Sequence, residues 1–332
     1  MTSTQKTRFI SIATTLMAVL VSMALIPGVF AAEHEHKNIA FGYQPSTHQM
    51  AFMTAFEKGW YEETLGPLGI SDIKSFSFPT GAPEMQAMLA GEINFAYVGS
   101  APFVTAVSNG LDAKIIASAN TQGSDLVVGT KVPYESPEDL KGLKVATFPA
   151  GTIQDTILRD WLSKNNIDAD TDLEIVAMGP GDATTAILAG KVDAVFLPHP
   201  APVTIEKAGA GRVVVPSGEM AADHSCCVLV ASGHMIREHP EVVSEVLRIH
   251  LRATEYNQEN PEEAAEHMNA LTELSPEIIL ASLDQWDGSF DNDPTRIISS
   301  VTTFAETQTR LGYLPNPVTE SDLFDTSFWK DL

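Results

Sequence analysis

The fold class follows from one segment of the chain, Gly91-Glu-Ile-Asn-Phe-Ala-Tyr-Val-Gly-Ser-Ala-Pro102. It contains a glycine, a short polar step, an apolar run as long as a buried strand, and then small residues that open a loop. The same pattern returns about a hundred residues later, in Gly190-Lys-Val-Asp-Ala-Val-Phe-Leu-Pro-His-Pro200. Two related units at this separation predict two similar lobes.

Strand and helix patterns alternate around both segments. Short apolar runs predict strands, and each is followed by a Pro- or Gly-containing loop and then by residues at helical spacing, as in the predicted helix 49–61. This order predicts two α/β lobes with mainly parallel sheets. From residue 240 onward the pattern is helical throughout.

The amino terminus predicts export. Lys6 and Arg8 precede an apolar run over residues 9–26, and short side chains follow up to Ala31. This pattern is typical of a secretory signal peptide, and an uncleaved membrane anchor is the alternative. We therefore expect a signal peptide over 1–31, a first lobe formed by 32–124 and 226–332, and a second lobe over 125–225. The protein would act in the periplasm or on the outer face of the cytoplasmic membrane, either free or tethered by an uncleaved N-terminal segment.

The net charge limits the classes of partner that the protein can bind. The formal net charge is -23 at neutral pH, and such a surface repels nucleic acid and anionic lipid. An anionic ligand would have to be held by local hydrogen-bond donors, because the long-range field opposes it. We expect no nucleic-acid partner.

The two cysteines, Cys226 and Cys227, are adjacent in the chain. Neighbouring cysteines cannot close a loop as paired cysteines in exported proteins usually do. The run Cys-Cys-Val-Leu-Val-Ala predicts a buried strand with two small apolar side chains. A strained disulfide between the neighbours and thiol ligation of a metal remain the alternatives.

The predicted fold places a binding site between the lobes. Open α/β sheets bind ligands at the carboxyl ends of their strands, so loops from the two lobes should face one another. Several of these loops lead into helix N-termini, whose free N–H groups favour anions. His199 could add a charge-assisted hydrogen bond when protonated.

The chain resembles the nitrate/sulfonate/taurine group of periplasmic solute-binding proteins of ABC transporters. The segments that carry the resemblance are Gly42-Tyr-Gln-Pro45, Glu57-Lys-Gly-Trp-Tyr61, Gly91-Glu-Ile-Asn-Phe-Ala-Tyr-Val-Gly99, Glu138-Asp-Leu-Lys-Gly-Leu-Lys-Val-Ala146, Gly151-Thr152 and Gly190-Lys-Val-Asp-Ala194. The resemblance implies a type II periplasmic-binding-protein fold whose lobes close on a small ligand. It also implies delivery of that ligand to a membrane permease and ATPase complex, by a monomer without catalytic residues, cofactor or resident metal.

The loops and the resemblance together give a set of candidate ligand-binding residues. They are Gln44, Ser46, Thr47, His48, Gly99, Ser100, Ala101, Ser124, Gly151, Thr152, Ile153, Gln154, Asp182 and His199. Where sulfonate-binding relatives commonly have Trp-Asp-Pro, this chain has Leu197-Pro-His-Pro200. This departure draws attention to His199 as a determinant of ligand choice.

Two other functions stay open on the sequence alone. The thiamine-pyrimidine synthases share this fold and some carry a cysteine-rich segment, so a pyrimidine-binding protein or a synthase-like enzyme is one alternative. A metal-binding transport protein is the other, if His48, His199 and His224 converge from their predicted loops.

Overall fold

Two five-stranded sheets carry the fold of residues 38–332, the part of the chain that the computed structural model describes. The predicted signal peptide, residues 1–31, lies outside these residues. The strands in chain order are β1 (Asn38–Tyr43), β2 (Asp72–Ser77), β3 (Phe95–Gly99), β4 (Ala113–Ser118), β5 (Asn120–Thr121), β6 (Ser124–Gly129), β7 (Lys144–Thr147), β8 (Glu174–Ala177), β9 (Ala194–Pro198), β10 (Gly211–Pro216), β11 (Cys227–Ser232) and β12 (Ser289–Phe290).

Helices connect these strands and form most of the C-terminal third of the chain. They are α1 (Met50–Glu57), α2 (Trp60–Leu65), α3 (Gly81–Leu89), α4 (Ser100–Ser108), α5 (Ile153–Lys164), α6 (Pro180–Leu188), α7 (Ala201–Lys207), α8 (Ser217–Met220), α9 (Gly233–Glu238), α10 (Pro240–Glu259), α11 (Pro261–Thr272), α12 (Pro276–Gln285), α13 (Pro294–Arg310), α14 (Glu320–Leu323) and α15 (Ser327–Lys330). Short 3-10 turns occupy Thr47–Gln49, Gly66–Leu68 and Pro137–Leu140. The predicted α/β class with two sheet-containing lobes is confirmed.

Each sheet contains one antiparallel strand among four that run the same way. The first sheet has the order β2-β1-β3-β11-β4, in which β11 pairs antiparallel with β3 and β4. The second has the order β10-β6-β9-β7-β8, in which β6 pairs antiparallel with β9 and β10. The prediction of mainly parallel sheets is therefore confirmed, with one strand in each sheet inserted in the opposite direction.

The antiparallel strands follow the two places where the chain crosses between the sheets. After β4 the chain leaves the first sheet and enters the second as β6, and after β10 it returns to the first as β11. An antiparallel strand begins at the edge where its parallel neighbours end. The first residues of β6 and β11 consequently lie beside the carboxyl ends of the other strands, where the ligand of such a fold binds.

Alternating residues of the strands feed separate cores on the two faces of each sheet. In the first sheet, Phe41 and Phe95 belong to the core packed by α1 and α10, whereas Ala40 and Val98 belong to the core on the opposite face. Because side chains alternate across a strand, both faces are apolar and both are covered by helices. In the second sheet, Leu126 belongs to the core on one face and its neighbour Val127 to the core on the other.

The helix predicted over residues 49–61 is broken in the structure. A 3-10 turn ends at Gln49, α1 ends at Glu57, and α2 begins again at Trp60. Between them Gly59 has φ +65°, a left-handed conformation that glycine adopts without a steric penalty. The break turns the chain so that Trp60 and Tyr61 pack into the core.

Helix α13 contacts both halves of the molecule. The side chain of Gln308 donates to the backbone oxygens of Ala101 (3.1 Å) and Gly151 (2.9 Å), which follow strands of different sheets. Tyr313, just beyond the helix, donates to Asp155 at 2.7 Å. The predicted assignment of residues 226–332 to the first lobe stays a prediction, since this C-terminal helix bridges the lobes. Within residues 38–332, no helix has the length and hydropathy needed to span a bilayer.

Candidate functional site

A cavity lies between the two sheets, at the edge where their parallel strands end. Its volume is about 50 Å³, the equivalent of a few water molecules, and it opens to solvent at its mouth. We call it the central cavity. It is lined by Gln44, Pro45, Ser46, His48, Pro79, Gly81, Gly99, Pro102, Phe148, Thr152, Ile153, Gln154, Pro180, Pro198, His199, Pro200, Ala201, Cys226 and Cys227. The lining combines loops that follow β1 and β3 of the first sheet with loops that follow β7 and β9 of the second.

Eight of the predicted binding residues line the central cavity. These are Gln44, Ser46, His48, Gly99, Thr152, Ile153, Gln154 and His199. They come from four separate loops, so the structure brings together segments that are up to about 150 residues apart in sequence. Their role in binding a solute stays a prediction.

The other six predicted residues lie outside the lining, for different reasons. Ser100 and Ala101 are fully buried at the start of α4, and the Ser100 amide is bonded to the Cys226 oxygen at 2.8 Å. Thr47 is also fully buried, and Asp182 is exposed on α6. The remaining two are Ser124, whose hydroxyl accepts from the Gln154 side chain, and Gly151, whose backbone oxygen accepts from Gln308. The loop positions were predictable, but which side chain turns inward depends on packing.

The start of helix α5 forms the most strongly polar part of the wall. Thr152 is the N-cap, and its Oγ1 accepts from the Asp155 amide at 3.4 Å. Ile153 and Gln154 occupy the first turn, where backbone amides have no acceptor inside the helix. The side chain of Gln154 is fixed by donating to Ser124 Oγ at 3.0 Å. This end of the cavity therefore presents neutral N–H donors and the positive end of a helix dipole.

Gln44 is held in place from behind by two other polar side chains. Its backbone N–H donates to Gln49 Oε1 at 2.6 Å, and its side-chain Nε2 donates to Glu84 Oε2 at 2.8 Å. Burial raises the pKa of Glu84 well above its usual range. Burial thus favours the neutral form of Glu84, which reduces the negative charge behind the cavity wall.

His199 lines the cavity, but both of its ring nitrogens already have protein partners. Nε2 lies 2.8 Å from Asp125 Oδ2, and Nδ1 lies 2.9 Å from Ser282 Oγ. The predicted charge-assisted hydrogen bond from His199 to an anion would have to replace one of these contacts, and it stays a prediction. The side chain joins β6 to helix α12, and it shapes the cavity by packing.

His48 and the two cysteines meet at one end of the central cavity. Cys226 Sγ lies 3.3 Å from His48 Nδ1 and 3.9 Å from Cys227 Sγ, and both thiols are free. All three residues are at most 5% exposed. We call them the thiol–histidine cluster. The hydrogen bond from the Cys226 thiol lowers the pKa of Cys227, and the same contact raises the pKa of Cys226.

The convergence of three histidines, an alternative that the sequence left open, does not occur. His48 and His199 line the central cavity, whereas His224 does not. Its Nδ1 donates to the Ala221 oxygen at 2.7 Å, and its ring packs edge-on against Phe304. This placement removes the three-histidine metal site that the sequence left open.

The two cysteines and Ala201 line the cavity, although the sequence did not predict them there. Cys226 and Cys227 were predicted to be buried in a strand, and burial is confirmed, with Cys227 as the first residue of β11. Their thiols reach the cavity because β11 runs antiparallel to its neighbours. Ala201 begins α7, a short helix that the Pro-rich loop after β9 did not predict. None of the residues lining the cavity, all within 38–332, is lysine or arginine.

The chain is similar to several known binding proteins. It is 24% identical over 308 residues to the putative aliphatic sulfonates-binding protein of Bacillus subtilis (strain 168), covering 91% of each chain. It is 24% identical over 249 residues to the taurine-binding periplasmic protein of Escherichia coli (strain K12), covering 71% of this chain and 75% of the relative.

Solved structures show the same architecture. The alkanesulfonate-binding protein SsuA from Xanthomonas axonopodis pv. citri, bound to MOPS, matches 88% of this chain and 99% of its own, with 18% identity and a TM-score of 0.77. The predicted periplasmic-binding-protein fold is thereby confirmed. A family model described as NMT1-like matches residues 32–272, which is most of the chain. The protein belongs to the NMT1-like family.

Proposed function

We propose that this protein is the extracytoplasmic solute-binding component of an ABC importer. The observation that carries the proposal is the central cavity, which is closed by loops from the carboxyl ends of both sheets. A small solute bound there would contact both lobes at once. It would be released to a membrane permease and its ATPase when the lobes separate. The sulfonate- and taurine-binding relatives support this function.

The solute class that we propose is a small sulfonate-like or nitrate-like anion. Its oxygens would accept hydrogen bonds from the first-turn amides of α5 and from the second N–H of the Gln154 side chain, whose first N–H is donated to Ser124. A helix N-terminus stabilises negative charge without lysine or arginine, and the lining contains neither. Burial favours the neutral form of Glu84, which reduces the negative charge that an anion would meet there.

Release would require two contacts between the lobes to open. The His199–Ser282 hydrogen bond joins the loop after β9 to α12, and the Gln308–Gly151 hydrogen bond joins α13 to the loop before α5. The two chain crossings, residues 119–123 and 217–226, are the proposed hinges. We propose that the protein acts as an exported monomer and performs no catalysis.

A thermal-shift screen tests the proposed solute class. Methanesulfonate, taurine and nitrate are compared with a hydroxymethylpyrimidine, each at saturating concentration. A solute at a hundred times its dissociation constant adds about 2.7 kcal/mol to the free energy of unfolding, so at least one of the three anions should raise the melting temperature by several degrees. Stabilisation by the pyrimidine alone, or by none of the four, would refute the anion assignment.

Two tryptophan substitutions on helix α7 provide the matched control. Ala201 lines the central cavity at the start of the helix, and Ala208 is exposed just beyond its end. Ala201→Trp should fill the cavity and reduce affinity for the stabilising anion by more than about 100-fold, because the ring takes the space of the solute. Ala208→Trp should bind like the unmodified protein. Equal affinities of the two variants would place the solute elsewhere.

A further inference from the structure

The thiol–histidine cluster has the composition of a metal site. His48 Nδ1, Cys226 Sγ and Cys227 Sγ lie within 4.8 Å of one another, and no other such group occurs among residues 38–332. We infer that these three side chains bind a thiophilic metal ion such as Zn²⁺ or Cu⁺ at the end of the central cavity. The inference goes beyond the proposed transport of an anion and requires no particular solute.

The distances already fit a single metal ion. Two thiolates at about 2.3 Å from one tetrahedral zinc ion are about 3.8 Å apart, and a thiolate and an imidazole nitrogen are about 3.6 Å apart. The corresponding distances here are 3.9 Å between the sulfur atoms and 3.3 Å between Cys226 Sγ and His48 Nδ1. These two distances are within a few tenths of an ångström of the values for zinc, and the third pair, His48 Nδ1 and Cys227 Sγ, lies within 4.8 Å.

The orientation of His48 directs the lone pair of its Nδ1 toward the proposed metal position. Nε2 lies 2.8 Å from the backbone oxygen of Gly123, which can only accept, so the ring proton is on Nε2. Nδ1 is then unprotonated and faces Cys226. Histidine ligands of metals are usually fixed in this way, by donating the other ring N–H to a carbonyl or carboxylate.

Gly123 makes that arrangement sterically possible. It has φ +90°, and a Cβ atom built on it would lie 2.6 Å from His48 Nε2. Only glycine fits both the left-handed backbone and the close approach of the ring. The edge of Trp286 packs against His48, with ring centroids 5.1 Å apart, and limits its movement further.

The surroundings leave one coordination position open toward the cavity. The Gln49 side chain donates to Cys227 Sγ at 3.6 Å and occupies the side away from the cavity. All three proposed ligands line the cavity itself. A bound metal would therefore take its remaining ligand from water or from a donor atom of the solute. Two thiolates and an imidazole suit Zn²⁺ and Cu⁺, and they disfavour Mg²⁺ and Ca²⁺, which require oxygen ligands.

Titration of reduced, metal-free protein with Co²⁺ tests the inference. Cobalt bound to thiolates has a near-ultraviolet charge-transfer absorption that oxygen and imidazole sites lack, and tetrahedral cobalt also has intense visible bands. We expect one equivalent of Co²⁺ to produce both features and one equivalent of Zn²⁺ to abolish them. Cys226→Ser and Cys227→Ser should each lower the affinity for zinc by more than about 100-fold, while His234→Gln, on helix α9, should leave it unchanged.

The measurement separates this site from other histidines and from solute binding. His34 and His36 near the N-terminus are retained in every variant, so any metal still bound by the cysteine variants belongs to sites such as these. Far-ultraviolet circular dichroism verifies folding. Absence of the thiolate absorption in the unmodified protein, or unchanged zinc affinity in folded cysteine variants, would overturn the inference. Anion binding is measured separately on the metal-free protein, so either result can fail alone.

Discussion

Two buried histidines are expected to reduce the free energy of unfolding by roughly 5 kcal/mol as the pH falls from about 7.5 to about 4.5, while Glu84, whose pKa is raised by burial, opposes part of this loss. Burial lowers the pKa of His224 and of His250 from 6.5 to about 4. In the unfolded chain both side chains take up a proton near pH 6.5, but in the folded protein they stay neutral until about pH 4. Between these values the unfolded state binds more protons, so stability falls as the pH falls.

The local contacts explain why His250 resists protonation. Its Nε2 donates to the Ser118 oxygen at 2.9 Å, and its Nδ1, which lies 3.2 Å from the Tyr97 hydroxyl, accepts from it. Protonation would add a hydrogen to Nδ1, the atom that accepts from the Tyr97 hydroxyl. It would also place a positive charge in a site with no exposed surface.

Urea unfolding at several pH values above about 4.5 measures the effect, because most carboxylates keep their charge there. His250→Gln serves as the comparison. It removes one of the two titrating histidines and should make the loss of stability between the two pH values smaller by about half of the histidine contribution, whatever its effect at neutral pH. The same change of stability with pH in the unmodified protein and in His250→Gln would contradict the expectation.

Phe41→Ala is expected to lower the free energy of unfolding by about 3 to 5 kcal/mol. Phe41 is fully buried in β1, and its ring lies 4.5 Å from that of Tyr61 and 5.2 Å from that of Phe95, measured between centroids. Truncation leaves a cavity between a sheet and two helices that cannot easily collapse, and it removes the aromatic contacts as well.

Phe76→Ala is the matched control for this substitution. Phe76 lies on β2, the neighbouring strand of the same sheet, but its side chain is 44% exposed. Its removal should change stability by about 0.5 kcal/mol or less. Chemical denaturation of both variants compares a buried and an exposed phenylalanine in one sheet. Similar losses for the two would show that burial in this core does not determine the stability.

The sequence predicted the alternation of strands and helices because buried parallel strands leave short apolar runs between turn residues. It predicted the loops of the site for the same reason, since each loop follows such a run. It could not predict that β6 and β11 run antiparallel, because strand direction depends on where the crossings deliver the chain. That direction is what turns Cys226 and Cys227 from core residues into cavity residues.

Two of the predicted binding residues, His199 and Ser100, are held by residues that are far away in the sequence. His199 was expected to serve the ligand, but Asp125 and Ser282, 74 and 83 positions away, occupy its nitrogens. Ser100 was expected beside the ligand because it begins a helix, yet its amide is bonded to Cys226. Neither partnership leaves a local pattern in the sequence.

The location of a bound sulfonate decides whether the central cavity is the solute-binding site. A crystal structure of the protein with 2-bromoethanesulfonate at saturating concentration would locate the solute by the anomalous signal of its bromine. We predict that it lies in the central cavity, with its sulfonate oxygens within hydrogen-bond distance of the first-turn amides of α5 and with contacts to loops of both sheets. A bromine position outside this cavity, or contact with the loops of one sheet only, would contradict the account.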